Sequence, residues 1–131
     1  MYKHFFCQEI YIYSIIIESE NDAVYAYLLK DDNIVGDVWL YNETEDPLQN
    51  QWETNIIGPY KNSIEYIKLS SIKILDINNV NNEWIIENNK LIKVKIYSDN
   101  KLIAILKDGH KPGFCVNAKI DGPLALSNIE F

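Results

Sequence analysis

The chain of 131 residues contains no arginine, so all twelve of its basic side chains are lysines. Guanidinium groups make the bidentate hydrogen bonds by which many proteins recognise phosphate and guanine, and this form of recognition is therefore excluded. The net charge of −7 also repels a phosphate backbone. We expect no direct binding to nucleic acid.

Long apolar runs are absent as well. The longest, Ile10 to Ile17, is far shorter than the roughly 18 residues that span a bilayer. Gln8 and Glu9 interrupt the apolar N-terminal stretch, and no small-residue cleavage site follows it. We therefore expect a cytoplasmic protein without membrane contact. In that compartment the two cysteines are expected to be reduced and buried, and the sequence leaves their separation open.

Glycine, histidine and cysteine are too few to form the common catalytic and metal-binding motifs. The five glycines make no phosphate-binding pattern, and the two histidines and two cysteines have no zinc spacing. His110, in the loop DGHKPG, is a conceivable general base or ligand, but a solvated loop histidine is the simpler interpretation. His4 is expected to be packed or solvated. We predict no catalysis, no metal and no cofactor.

The dominant pattern is that of β-strands. A hydrophobic fraction of 47% over 131 residues predicts a single domain, 1–131, with its own core. Runs of β-branched and aromatic residues, separated by turns rich in Asn and Asp, predict a mainly β fold. We expect an antiparallel meander sheet or a two-layer β fold with at most one or two short helices. The predicted strands are 9–18, 23–30, 34–41, 72–77, 83–87, 90–97, 102–106 and 114–120.

Two local features interrupt this pattern. Gly36, inside a predicted strand, indicates a bulge or a close backbone approach. Residues 42–60 are polar and acidic and contain Pro47 and Pro59, so they are predicted to form a long surface excursion of the kind that is usually functional. A short helix is expected over 62–69, with Ser63 as its N-cap.

Negative charge is concentrated in the first part of the chain. Residues 1–59 contain eleven acidic side chains and two lysines, which gives −9, whereas residues 60–131 contain ten lysines and eight acids, which gives +2. Such a field attracts a basic partner. Trp52 lies within the acidic excursion and is expected to be an exposed aromatic anchor. The predicted partner-binding residues are Asp31, Asp32, Asp37, Glu43, Glu45, Asp46, Trp52 and Glu53.

A cation site or a carboxylate pair for glycoside chemistry is an alternative for Asp31, Asp32 and Asp37. Their spacing lacks the order of a calcium-binding loop. Solvated residues at the end of a hairpin explain them more simply.

Two stretches resemble known proteins: IVGDVWLYN at 34–42, and KPGF at 111–114 continuing to KIDGPLA at 119–125. They are similar to immunity proteins of bacterial contact-dependent growth inhibition and related polymorphic toxin systems. The resemblance covers about a third of the chain and implies a small cytoplasmic protein, monomeric when free. Its implied partner is a cognate protein toxin domain, often a basic one such as a nuclease, which it neutralises without catalysis. A structural or ligand-binding β module and a small enzyme using His110 are the alternatives.

Overall fold

The computed structural model describes residues 2–68 and 76–128, which form two antiparallel four-stranded sheets. Each sheet is a meander in which consecutive strands are neighbours. The mainly β prediction is therefore confirmed. The first sheet contains β1 (Tyr2–Phe6), β2 (Tyr13–Glu20), β3 (Ala23–Lys30) and β4 (Asn33–Asn42). The second contains β5 (Val80–Glu87), β6 (Lys90–Ser98), β7 (Lys101–Leu106) and β8 (Phe114–Cys115).

Four two-residue turns define the meanders. In each turn both residues have positive φ angles, and all of them are Asn or Asp. These side chains tolerate the left-handed backbone that tight hairpins need, which a β-branched residue does not. The turns are Asn21-Asp22, Asp31-Asp32, Asn88-Asn89 and Asp99-Asn100.

One cluster of buried side chains draws on both sheets. Ile15 and Ile17 of β2 are fully buried, as are Val94 and Ile96 of β6. Successive side chains of a strand point to opposite faces, so the inward position of Val94 and Ile96 turns Lys93 and Lys95 outward, as the alternation predicts. Lys3 lies on the same side of the first sheet as Ile17, and this side faces the second sheet. The Lys3 Nζ donates to Val80 O of β5 at 3.2 Å.

The last described segment runs along the edge of β4. Asp37 N donates to His110 O at 3.3 Å, Gly113 N to Asp37 O at 2.7 Å, and Trp39 N to Leu124 O at 2.9 Å. A Cβ atom at Gly36 would lie 3.1 Å from Lys107 O, and the β3–β4 ladder shifts register beside it. Both features expected of Gly36, a bulge and a close approach, are therefore present.

Several predicted boundaries are wrong. The strand predicted from residue 9 begins at Tyr13, because residues 7–12 connect it to β1, which was not predicted. The strand predicted over 83–87 begins earlier, at Val80, since residues 80–82 also pair with β6. The last strand ends at Cys115, and the helix expected over 62–69 is a single 3-10 turn, Ile64–Tyr66. The predicted strand 72–77 lies largely outside the described residues.

Candidate functional site

The eight predicted partner-binding residues occupy three separate places. Asp31 and Asp32 form the β3–β4 turn, Asp37 lies in the middle of β4, and the other five follow the end of β4. A strand of ten residues spans about 30 Å, so the turn and the excursion lie at opposite ends of the first sheet. The eight residues therefore do not form one continuous patch.

Asp31 and Asp32 share their end of the sheet with a compensating lysine. Lys30 Nζ lies 3.8 Å from Asp108 Oδ2, and the Tyr13 hydroxyl donates to the same carboxylate at 2.7 Å. Burial, then the Asp108 carboxylate, raises the pKa of Tyr13 to about 12. Asp31 and Asp32 are exposed and have φ angles of 50° and 65°, so their residue types are explained by the turn itself.

Residues 43–68, hereafter the excursion, fold back onto the first sheet through the buried amide of Asn42. Asn42 Oδ1 accepts from Trp39 Nε1 at 2.9 Å and from Asn62 N at 2.9 Å. Asn42 Nδ2 donates to Asp46 Oδ1 at 2.7 Å and to Asn62 O at 2.8 Å. Sequence reasoning missed Asn42, because a polar residue at a strand end predicts nothing about its partners.

Two of the predicted residues are turned inward by this folding. Asp46 is 8% exposed, and its carboxylate accepts from Asn42, so it positions the excursion and is not displayed on the surface. Trp52 was expected to be an exposed anchor, but it is half-buried and packs against the core. Its ring meets Tyr66 edge to face with centroids 5.4 Å apart. The excursion supplies its own aromatic neighbour, which the local sequence NQWET does not reveal.

The remaining acids of the excursion, Glu43, Glu45 and Glu53, stay accessible to solvent. Glu43 N donates to Asp22 O at 2.8 Å, and the Ser19 hydroxyl donates to the Glu43 carboxylate. These contacts bring the β2–β3 turn to the same place. Hereafter the acidic end denotes Glu20, Asp22, Glu43 and Glu45.

Exposed apolar side chains accompany the acids of the excursion. Leu48 is 85% exposed and Ile57 84% exposed. A groove of about 490 Å³ runs past Glu45, Leu48 and Ile56. Lys61 also lines this groove, and its Nζ donates to Thr44 Oγ1 at 3.0 Å and to Glu45 O at 2.7 Å.

A second accessible surface lies on the side of the first sheet that faces away from the second. His4, Ile16, Tyr27 and Asp37 stand directly opposite one another across β1 to β4. Hereafter the tyrosine face denotes these four residues with Phe6 and Glu18. The sequence does not reveal this surface, because both faces of β2 are largely apolar, a pattern typical of a strand that is covered on both sides.

Carboxylates surround Tyr27 on the tyrosine face. Burial, and then the nearby charges of Glu18, Glu20 and Asp37, raise the pKa of Tyr27 to about 12. Burial also raises the pKa of Asp37, and the positive charge of Lys111 partly offsets that rise. The ring of Tyr27 stacks on Tyr25, with centroids 5.9 Å apart and planes at 11°.

The groups considered for chemistry have ordinary structural surroundings. His110 is half-buried, and its backbone N–H donates to Lys107 O at 3.0 Å. The Cys115 thiol donates to Leu40 O at 3.4 Å, and burial raises its pKa to about 12. Cys7 and Cys115 are both buried and free, as expected. Within 2–68 and 76–128, no three His, Cys, Asp or Glu side chains come together as a metal site would require.

Helices are too short and too polar to cross a bilayer in the part of the chain that the structure describes. Comparison with protein-family models, with curated proteins and with solved structures found no significant match.

Proposed function

We propose that this chain is an immunity protein that binds a cationic toxin domain in the bacterial cytoplasm and neutralises it without catalysis. The observation that supports this proposal is the division of charge between the two sheets. Residues 2–42, which include the first sheet, contain seven acids and two lysines, whereas 80–115, which include the second, contain six lysines and four acids. A partner with a basic surface, such as a nuclease, is attracted to one side of such a molecule and repelled by the other.

The acidic end and its surroundings fit the general anatomy of a protein interface. Interfaces combine apolar residues, which exclude water, with a polar rim that fixes orientation. Here Leu48, Ile56 and Ile57 are exposed beside the carboxylates of Glu43 and Glu45. The carboxylates would speed association with a basic toxin, and the apolar side chains would hold the complex once it has formed.

The resemblance at 34–42 and 111–125 supports the same function, although in this fold the two stretches hydrogen-bond to each other and stabilise the edge of the first sheet. The first is β4, and the second includes the backbone that bonds to β4 at Asp37 and Trp39. They hold β4, and with it Asn42 and the start of the excursion, in place. The toxin's activity is therefore not specified by them.

Co-expression with the C-terminal domain encoded by the neighbouring upstream toxin gene tests the proposal. We expect the two proteins to co-purify, and we expect the variant E43Q/E45Q/E53Q to associate more slowly, most clearly at low salt. The matched control E9Q/E87Q/D99N removes the same number of charges elsewhere and should associate normally. H110A should protect cells from the toxin fully.

Two outcomes would contradict the proposal. Failure of the wild-type chain to bind the toxin or to protect cells rejects the immunity function. Equal association rates for E43Q/E45Q/E53Q and the wild type reject these three carboxylates of the excursion as part of the contact surface. Loss of protection in H110A, with binding retained, would instead favour the enzyme alternative.

A further inference from the structure

The tyrosine face is a partly exposed sheet surface with aromatic and apolar residues on it. Phe6 is 65% exposed, and Tyr2, on the same side of β1, is 59% exposed. The His4 ring lies against Phe6 with centroids 4.1 Å apart. Because the surface spans four strands, it is wide enough to receive side chains from a partner and is not an isolated exposed residue.

The excursion covers only one part of this side of the sheet. Tyr25 and Trp39 are 6% and 2% exposed, and the Tyr25 hydroxyl donates to Tyr60 O at 2.7 Å. Tyr27 lies two residues further along β3 than Tyr25 and is only half-buried. The cover therefore ends at Tyr27. Further along the same side Ser14 and Leu29 are buried again, so the accessible part of this side is the row from His4 to Asp37, with Phe6 and Glu18 beside it.

The charge on this surface selects among possible occupants. Asp37 is directly opposite Tyr27 on β4, and Glu18 is diagonal to it on β2. A neutral apolar partner would have to desolvate both carboxylates without compensating them, which is costly. A cationic side chain would instead pair with them and could lie against the face of the Tyr27 ring.

We propose that the tyrosine face is the anchor site for an arginine or lysine side chain of a cationic protein, received over Tyr27 between Glu18 and Asp37. This inference rests on the proposed function only for the identity of the partner, a cationic toxin domain. It adds a second contact area, on the open face of the sheet, to the acidic end. Lys111 is close enough to act on Asp37, so the incoming cation competes with a charge of the chain itself.

A synthetic peptide of alternating arginine and glycine, nine residues long, is the probe for this site. The same peptide with citrulline in place of arginine is nearly isosteric and uncharged, so it controls for everything except the cation. We expect the arginine peptide to shift the Tyr27 ring resonances in NMR titrations at low salt. The citrulline peptide should leave them unchanged.

Two variants test whether the carboxylates and the aromatic ring of the tyrosine face contribute to the affinity for the peptide. E18Q/D37N keeps the shape of the surface and removes both charges. We expect it to lower the affinity for the arginine peptide about tenfold. Y27L removes the aromatic ring and should have an effect of similar size. The control E87Q/D99N removes two charges from the second sheet, one at the end of β5 and one in the β6–β7 turn, and its affinity for the peptide should equal that of the wild type. Thermal melts verify that each variant is folded.

The alternative results are distinct. The inference is overturned if the arginine peptide does not bind to the wild type, or if E87Q/D99N lowers its affinity as much as E18Q/D37N does. Equal shifts of the Tyr27 resonances with the citrulline peptide also overturn it. Concentration-dependent dimerisation that K93E/K95E abolishes would show that a second copy covers the tyrosine face, which also overturns it. If the peptide binds as expected but the toxin does not co-purify, the immunity function fails and the anchor site remains. If the toxin co-purifies but the peptide fails, only the anchor site is rejected.

Discussion

At the scale of single residues, the hairpin turns show how closely backbone and side chain are linked. Asp31 and Asp32 have φ angles of 50° and 65°, which Asn, Asp and Gly adopt more readily than other residues. Their carboxylates are exposed and share their surroundings with Lys30. They are therefore needed for the turn, whatever they contribute to binding a partner.

Substitution of Asp32 separates the turn from the charge. We expect D32V to lower the free energy of unfolding by about 1–2 kcal/mol, because a β-branched residue is strained in the left-handed region. D32N removes the same charge but tolerates the conformation, so its effect should be below about 0.5 kcal/mol. Urea denaturation measures both. Equal losses in the two variants would mean that the carboxylate, and not the backbone conformation, matters.

At the scale of elements, the excursion is attached to β4 by one side chain. The Asn42 amide satisfies groups from Trp39, Asp46 and Asn62 through four hydrogen bonds, all of them buried. An apolar residue there would leave several buried polar groups without partners. The position of the excursion relative to the sheet therefore depends on a neutral residue that need not contact any partner.

Truncation of this side chain tests that dependence. We expect N42A to reduce the free energy of unfolding by about 2–4 kcal/mol, because buried donors and acceptors lose their partners. We also expect faster hydrogen exchange across residues 43–68 than across the strands of the second sheet. N55A, an exposed asparagine of the same excursion, is the control and should behave like the wild type. Unchanged exchange in N42A would show that other contacts hold the excursion.

At the scale of the whole molecule, the core favours neutral forms of several side chains. Burial is the leading cause of the raised pKa of Tyr25 and Tyr41, and it raises the pKa of Tyr13, Tyr27 and Cys115 to about 12. Their unfolded values are 10.0 for tyrosine and 9.0 for cysteine. Since the folded values are higher, this contribution to stability is complete below about pH 9 and is lost as the pH rises towards 12.

The melting temperature is therefore expected to fall steadily above about pH 9. Tyrosinate absorbance at 295 nm should show fewer than the nine tyrosines titrating near pH 10, with the rest ionising together with unfolding. Replacement of Tyr27 by Phe removes one such group and should make the loss of stability at high pH less steep. Titration of all nine tyrosines near pH 10 in the folded protein would contradict this account.

Much of the fold was predictable because it rests on local chemistry. The alternation of KLIKVKIY at 90–97 predicts that Val94 and Ile96 point inward, where both are fully buried, and the Asn and Asp pairs predict the hairpin turns. Contact with distant segments decided the rest: β1 exists because it pairs with β2, and β5 starts early because it pairs with β6. The local sequence does not show which distant segment a strand pairs with, so these boundaries could not be predicted from it.

The candidate site divides in the same way. The sequence by itself determined the amount of charge, its bias towards residues 1–59, and the presence of an acidic excursion, since these follow from composition and order along the chain. Only the tertiary structure decided which acids are displayed. It turned Asp46 and Trp52 inward, separated Asp31 and Asp32 from the excursion by the length of β4, and assembled Glu18, Tyr27 and Asp37 from three strands. The physical reason is that a side chain's exposure depends on what packs against it, and those neighbours come from elsewhere in the chain.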